Sequence, residues 1–317
     1  MSALPSGGVI PELFHGLFDD AAVFPPGNLP LVEAVPAHRA HRAAWYAEAV
    51  GPLLCGAGRL AELAEAVASD PAGASDAAVA SDSAGASDTA RAGGSARAGG
   101  APLRVGLVLP GGSAELAQAL AAAAPFELAG VELATRDAAE AVAELDRLLP
   151  PHVPAAVELP RELLHGDELD AVLDVLVDSP YRAKFRTGGL VAEAFPDEAE
   201  LAAFLTGCAR RGLPYKCTAG LHNAVRHTDP ETGFEHHGFL NVLLAAQETD
   251  RAAAAAVLAE RDGEVLAKAV RALTDRQVTV IRNSFTAFGT CSIAEPLGDL
   301  AALGLLSSPI PPHQEDR

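Results

Sequence analysis

The chain has 317 residues, with 42 Asp+Glu against 23 Lys+Arg, a net charge of −19, and 49% hydrophobic residues. That much apolar material excludes a wholly disordered chain, and the acidic balance argues against nucleic acid or an anionic membrane as the main partner, because both require basic surface. No apolar run reaches the ~18 residues of a membrane helix. The N-terminus lacks a signal-peptide pattern, and Cys55, Cys208, Cys217 and Cys291 have no paired spacing, so a reducing cytoplasm is the expected location.

Of the 23 basic residues 20 are Arg, and only Lys184, Lys216 and Lys268 are Lys. Arg replaces Lys at little cost on a solvated surface. It cannot replace a neutral amine nucleophile, since guanidinium keeps its proton above pH ~12.

In chain order, short apolar runs alternate with amphipathic segments. The first run, 19–24, opens with Asp19-Asp20, a pair of which only one can point inward from a strand; Asp20 is taken as the proton-transfer candidate. His38 and His41, beside Arg39 and Arg42, read as a solvated helix face. The second run is 52–55. Residues 68–100 repeat Ala-Ser-Asp every six residues and then read ARAGGSARAGG. With almost no large apolar side chain, this insertion is expected to be disordered. Runs at 103–109, 128–134 and 154–159 follow; the fourth ends near Glu132 and the fifth near Glu158. Helical periodicity appears at Ala138, Val142, Leu145 and Leu149, then at Leu169, Val172, Leu173 and Leu176. The sixth run, 182–187, carries Lys184 and Arg186 on one face and leads into Thr187-Gly188-Gly189. An acidic first turn at Pro196, Asp197 and Glu198, the apolar stripe Leu201, Phe204, Leu205 and Cys208, and Gly212 delimit the next helix. The seventh run, 213–218, places Lys216 and Thr218 on one face and Cys217 on the other, before Ala219-Gly220.

A long interval then holds His222, His227, His236 and His237 among Asp229, Glu231 and Glu235. Lys268 lies in an amphipathic stretch and reads as a surface residue. The eighth run, 285–292, is followed after residue 308 by a polar, Pro-rich tail at 309–317. Eight buried-type strands separated by helices predict an α/β fold, a single-domain (βα)8 barrel over 1–308, with an open doubly wound sheet as the alternative. The active site would then lie at the C-terminal strand ends, where both strand lysines point into one pocket.

Two strands, Lys-x-x-Thr-Gly and Lys-x-Thr-x-Gly, stand 32 residues apart. Together with Phe288-Gly289-Thr290-Cys291-Ser292, they resemble the paired lysine strands and phosphate-holding run of the deoxyribose-phosphate aldolase-like class I aldolase barrels. Asp20-Ala21-Ala22-Val23-Phe24-Pro25 is loosely similar to that family's first strand. The resemblance implies imine formation on Lys184, a lowered amine pKa caused by Lys216, and a proton shuttled by an acid on the fourth strand, Glu132. It also implies substrate contacts from Gly289, Thr290 and Ser292. The chain departs from the pattern in having Glu132 in place of an Asp, in the added charge of Arg186, in Leu-His-Asn after Gly220, and in the long seventh-to-eighth interval.

These residues lead to the expectation of a Schiff-base-forming, aldolase-like lyase. Its partner would be a small anionic carbonyl compound, phosphorylated or carboxylated, with no cofactor. Arg186, Thr187, Gly188, Gly189, Thr218, Gly220, His222 and Glu158 would bind that substrate. One rival is a metal-dependent barrel lyase or hydrolase built on His222, His227, His236 and His237, although their spacing matches no ligand signature. The other is a non-catalytic anion-binding barrel. The sequence leaves oligomeric state open, a homo-oligomer included.

Overall fold

The computed structural model describes residues 8–70, 102–165 and 168–306. Eight parallel strands close into a barrel in the order β1-β10-β7-β6-β5-β4-β3-β2. They are β1 (Phe18–Asp20), β2 (Val50–Gly56), β3 (Arg104–Leu109), β4 (Glu127–Ala134), β5 (Ala155–Glu158), β6 (Arg182–Arg186), β7 (Tyr215–Thr218) and β10 (Phe285–Thr290). All eight expected strands are therefore present, in the expected sequence, and the fold is a (βα)8 barrel.

The strands form where apolar side chains recur at alternate positions, and in this barrel those positions face outward. Phe18, Val131, Leu133, Phe185, Tyr215, Cys217 and Phe288 are all buried beneath the helices. Phe185 stacks on Phe204 with ring centroids 4.9 Å apart, and Phe18 meets Phe288 edge-on at 5.4 Å. The inward positions of the same strands carry glycine or charge: Gly130 and Glu132, Lys184, Lys216, Gly289. Barrel interiors are ordinarily filled by layers of branched apolar side chains. Here small and ionic residues replace them, which leaves room at both ends.

The covering helices are α1 (Leu31–Ala43), α2 (Leu60–Ser69), α3 (Leu116–Ala123), α4 (Ala138–Leu148), α5 (Glu168–Val177) and α6 (Glu198–Arg211). Each of the predicted helix signals has its structural counterpart in α6. Asp197 and Glu200 form a reciprocal capping box, and Gly212 terminates the helix in the left-handed region at φ 63°. In α1, His38 departs from expectation. It is buried rather than solvated, because its side of the helix packs on the barrel wall, where its Nδ1 lies 2.9 Å from Asp20 Oδ2.

The long interval after β7 contains a two-stranded antiparallel hairpin, β8 (His227–Thr228) and β9 (Glu235–His236), then α7 (Phe239–Ala245), α8 (Arg251–Ala259), α9 (Gly263–Arg271) and α10 (Asp275–Ser284). Helix α7 is buried throughout, and its Asn241 gives Nδ2 to the carbonyls of Val257 and Glu260 while Oδ1 accepts from the Arg226 amide. Lys268 is exposed on α9, as read from sequence. After β10, α11 (Ala294–Ala302) completes the ring. Of the expected disordered insertion at 68–100, the first three residues are ordered: 68 and 69 end α2, and Asp70 is buried against Arg39 at 2.8 Å. From 71 to 101 it lies outside the described residues, as does the 309–317 tail. Among the described residues no helix is long and apolar enough to cross a membrane.

Candidate active site

Strands β6 and β7 pair with Lys184 directly opposite Lys216, and β5 and β6 pair with Glu158 opposite Lys184. Alternation aims all three inward, and Glu132 projects from β4 between the two lysines. Lys184 Nζ stands 2.6 Å from Glu132 Oε2 and 2.6 Å from Glu158 Oε2. Lys216 Nζ bonds to the other Glu132 oxygen, Oε1, and to Asp19 Oδ2 at 2.5 Å. One carboxylate thus holds two ammonium groups, each of which has a second carboxylate of its own. Lys184 is 1% exposed and Lys216 7%. Ions this deep persist only when paired, because desolvation costs several kcal/mol per charge.

The two lysines are held differently. Lys216 donates aligned hydrogen bonds to Asp19 and Glu132. Lys184 bridges Glu132 and Glu158 instead, at 2.6 Å from each, and its charge and hydrogen bonding lower both carboxyls against the effect of burial. Lys184 and Glu132 border the cavity at the C-terminal strand ends, about 830 Å³ in volume, whereas Lys216 does not reach it.

Charge sharing sets the proton affinities. Burial by itself would raise Glu132, but the two adjacent lysines outweigh it and hold the carboxyl at about 2. Burial likewise acts against the charged form of Lys216, and the Asp19 and Glu132 carboxylates overcome it and raise its affinity for the proton. Asp19 is shifted upward, by burial above all. Lys216 therefore retains its proton firmly. The implied arrangement, in which Lys216 lowers its neighbour by bare repulsion, is replaced by one in which Glu132 stands between them.

Strand one needs a correction. Asp19, not Asp20, enters the lysine cluster; Asp20 points to the other side of β1, where it meets His38 and accepts from the Ala22 amide at 3.1 Å. Gly51 makes this possible, because a Cβ there would lie 1.9 Å from Asp19 Oδ1.

The residues expected to cradle an anion divide into two groups. Arg186 lines the cavity, with Nε 3.3 Å from Glu158 Oε1, and Gly189, Thr218, Gly220, His222 and Gly289 line it as well. Thr187 does not. It is fully buried, its amide donates to the Thr218 carbonyl at 2.9 Å, and its hydroxyl donates to the Ala219 carbonyl. Gly188 and Gly220 allow the two loops to touch: a Cβ on Gly188 would lie 2.8 Å from Gly220 Cα, and Gly220 sits at φ 75°. Thr290 is buried in a turn, its hydroxyl donating to the Ser292 carbonyl at 3.0 Å, while Ser292 Oγ accepts from the Glu295 amide at 3.3 Å. The Thr187 and Thr290 hydroxyls thus donate to backbone carbonyls of the loops, and Ser292 Oγ caps a helix start as an acceptor.

The four histidines also separate. His227 and His236 line the cavity with ring centroids 5.2 Å apart, and His236 lies 4.4 Å from the Phe195 ring. Burial and the neighbouring His227 lower His236 below its ordinary value. His222 lies 3.1 Å from Glu295 Oε2 and 3.4 Å from Cys291 Sγ. His237 turns away, buried between Arg226 at 3.1 Å and the Pro196 carbonyl at 2.9 Å; burial and Arg226 lower it to about 4. Among the described residues no three His, Cys, Asp or Glu side chains converge in a metal-holding group. The four-histidine metal site is therefore not assembled.

Sequence reasoning missed the cavity walls, formed by Phe24, Pro25 and Pro26 on one side and Leu190 and Phe195 on the other, with Cys291 at the rim. Only Cys291 carried a readable signal, its place at the end of the eighth strand. No family model, curated protein or solved structure matches the chain.

Proposed function

We propose that the barrel is a Schiff-base-forming lyase of the class I aldolase kind, acting on a carboxylated carbonyl compound. The observation that carries this reading is a deeply buried strand lysine at the floor of an 830 Å³ cavity, flanked by two carboxylates at 2.6 Å. Attack requires a neutral amine, and Glu158, the more exposed of the two flanking carboxylates, receives the Lys184 proton. The amine adds to the substrate carbonyl carbon, a carbinolamine forms, and its hydroxyl leaves as water to give a cationic imine. Glu158 returns its proton to the departing hydroxyl of the carbinolamine; the cation then accepts the electron pair of the adjacent carbon–carbon bond as it breaks, Glu158 takes the proton of the hydroxyl on the departing carbon, and protonation and hydrolysis of the remaining enamine free Lys184. Glu132 stays ionised and balances the imine charge with Lys216 fixed behind it.

Among the described residues the two terminal nitrogens of Arg186 have no partner, and it is the group suited to a substrate carboxylate. A phosphate is less well provided for, because Thr187, Thr290 and Ser292 have their hydroxyls engaged elsewhere. Borohydride reduction in the presence of short 2-oxo acids, aldehydes and sugar phosphates tests the reading. The expected result is a stable mass increment on the peptide containing Lys184, strongest with a 2-oxo acid. No increment with any carbonyl class, or an undiminished one in Lys184→Met, overturns it.

A further inference from the structure

Behind the lysine–carboxylate layer the barrel opens again, at the N-terminal strand ends, into a second cavity of about 510 Å³, a size typical of small-molecule sites. In most barrels this end is packed and contributes only stability. Here the inward positions are Gly106, Gly130, Ala156 and Ala287, and the space they leave is bordered by Arg42, Arg104 and Arg182. Asp19, Glu48, Glu132 and Lys216 border it as well, so what distinguishes the three guanidinium groups is which of them already has a partner.

The three arginines are not equivalent. Arg104 pairs with Glu127 at 3.0 Å, and Arg42 gives its Nη1 to the carbonyls of Ala47 and Val50 at 2.8 and 2.5 Å. His15 and Glu48, also on this wall, lie 3.5 Å apart. Arg182 is on β6 two residues before Lys184, hence on the same inward face, and it is half-buried. Its guanidinium makes no hydrogen bond or ion pair with any described residue; Asp19, whose charge reaches it, is already bonded to Lys216. A second guanidinium, Arg282, is tied close by to the carbonyls of His15, Phe285 and Thr286. Burial, with Arg182's charge adding to it, lowers Arg282 to about 10. Arg182 alone of the two borders the cavity; of the carboxylates there, Asp19 is bonded to Lys216, Glu132 to both lysines and Glu48 lies against His15, so none is paired with the Arg182 guanidinium.

We propose that this rear cavity binds a small oxyanion, a phosphate or carboxylate group, on the Arg182 guanidinium, at a site separate from the front cavity. The forked donors of Arg match either anion in two-point geometry, and partial burial strengthens the contact relative to a surface site. The ion-pair layer of Asp19, Lys216 and Glu132 divides the two cavities, so this proposal does not depend on imine chemistry at Lys184.

Calorimetric titration of the full chain with inorganic phosphate, and separately with malonate, tests it and distinguishes the two anion types. Saturable binding of one anion per chain at this site is expected, at least tenfold weaker in Arg182→Gln. Binding of phosphate alone or malonate alone supports the proposal and names the group. No saturable binding of either, or equal affinity in an Arg182→Gln chain of unchanged circular dichroism, overturns it. Wild-type crystals soaked in selenate provide a readout that needs no variant to fold. Anomalous density beside Arg182 supports the site, and density confined to the front cavity, or none, overturns it.

Discussion

The lysine layer and the roof over it both carry polar side chains that the sequence singles out, yet they are organised differently. In the layer, Lys184, Lys216, Glu132 and Glu158 are all aimed at one another, each by a strand whose register fixes its direction. In the roof and the connecting turns, three histidines line the cavity without converging on one another, His237 turns away, and the Thr187 and Thr290 hydroxyls donate to nearby backbone carbonyls. A strand gives its side chains only two directions, whereas a loop gives them many, and a polar loop side chain is captured by whichever backbone group is nearest. The charged groups of this barrel are therefore organised from the floor of the cavity upward.

The sharpest way to break that contrast is Lys184→Met, expected to lower turnover on any substrate found by trapping on the order of a thousandfold or more, with the fold retained. Steady-state kinetics on the purified variant measure it, and a loss under tenfold would mean that the floor is not where the reaction occurs.

Glu132→Gln comes next, because it leaves two buried ammonium groups sharing no charge between them. A loss of about 3–5 kcal/mol in urea unfolding at pH 7 is expected. The same carboxylate makes a pH prediction. Its folded value of about 2 lies below the ordinary 4.5, so its contribution is complete above pH 4.5 and is lost as pH falls from there towards 2. Asp19, shifted upward, works in the opposite sense. The test is therefore a difference: the gap in stability between wild type and Glu132→Gln should close between pH 4.5 and 2, and a gap constant over that range would contradict the ion-pair account.

Thr187→Val probes the turns. It removes a buried hydroxyl from the Ala219 carbonyl and should cost about 1–3 kcal/mol, largely restored in Thr187→Ser. A Thr187→Val chain of undiminished stability but raised KM would instead assign the hydroxyl to substrate. The smallest effects belong to the roof. His237→Phe should cost about 1 kcal/mol by stranding the Pro196 carbonyl, and His236→Phe within about 0.5 kcal/mol, both read from thermal melts. The reverse order would place His236, not His237, in the structural role.

The resemblance noted in the sequence rests on particular residues, and the structure separates them. Lys-x-x-Thr-Gly and Lys-x-Thr-x-Gly carry two signals: the lysines, which converge, and the threonine–glycine pairs, which split, Thr187 closing a loop–loop contact while Thr218 lines the cavity. Asp19-Asp20 was ambiguous from the start, since alternation says that one points inward without saying which. Space beside Gly51 and the burial of His38 decided it. The rear cavity had no sequence signal at all, because a glycine on one strand means little until its neighbours around the barrel prove to be small as well.

The sequence by itself determined the eight strands, their order, and the shared face of the charged residues on β4, β6 and β7, because spacing along a strand is a local property that period-two geometry converts directly into direction. Only the tertiary structure decided that Glu132 bridges the two lysines, that Asp19 completes the set, and that Arg182 is left without a partner. Those outcomes depend on distances between strands up to 197 residues apart, which closure of the barrel creates and no local pattern contains.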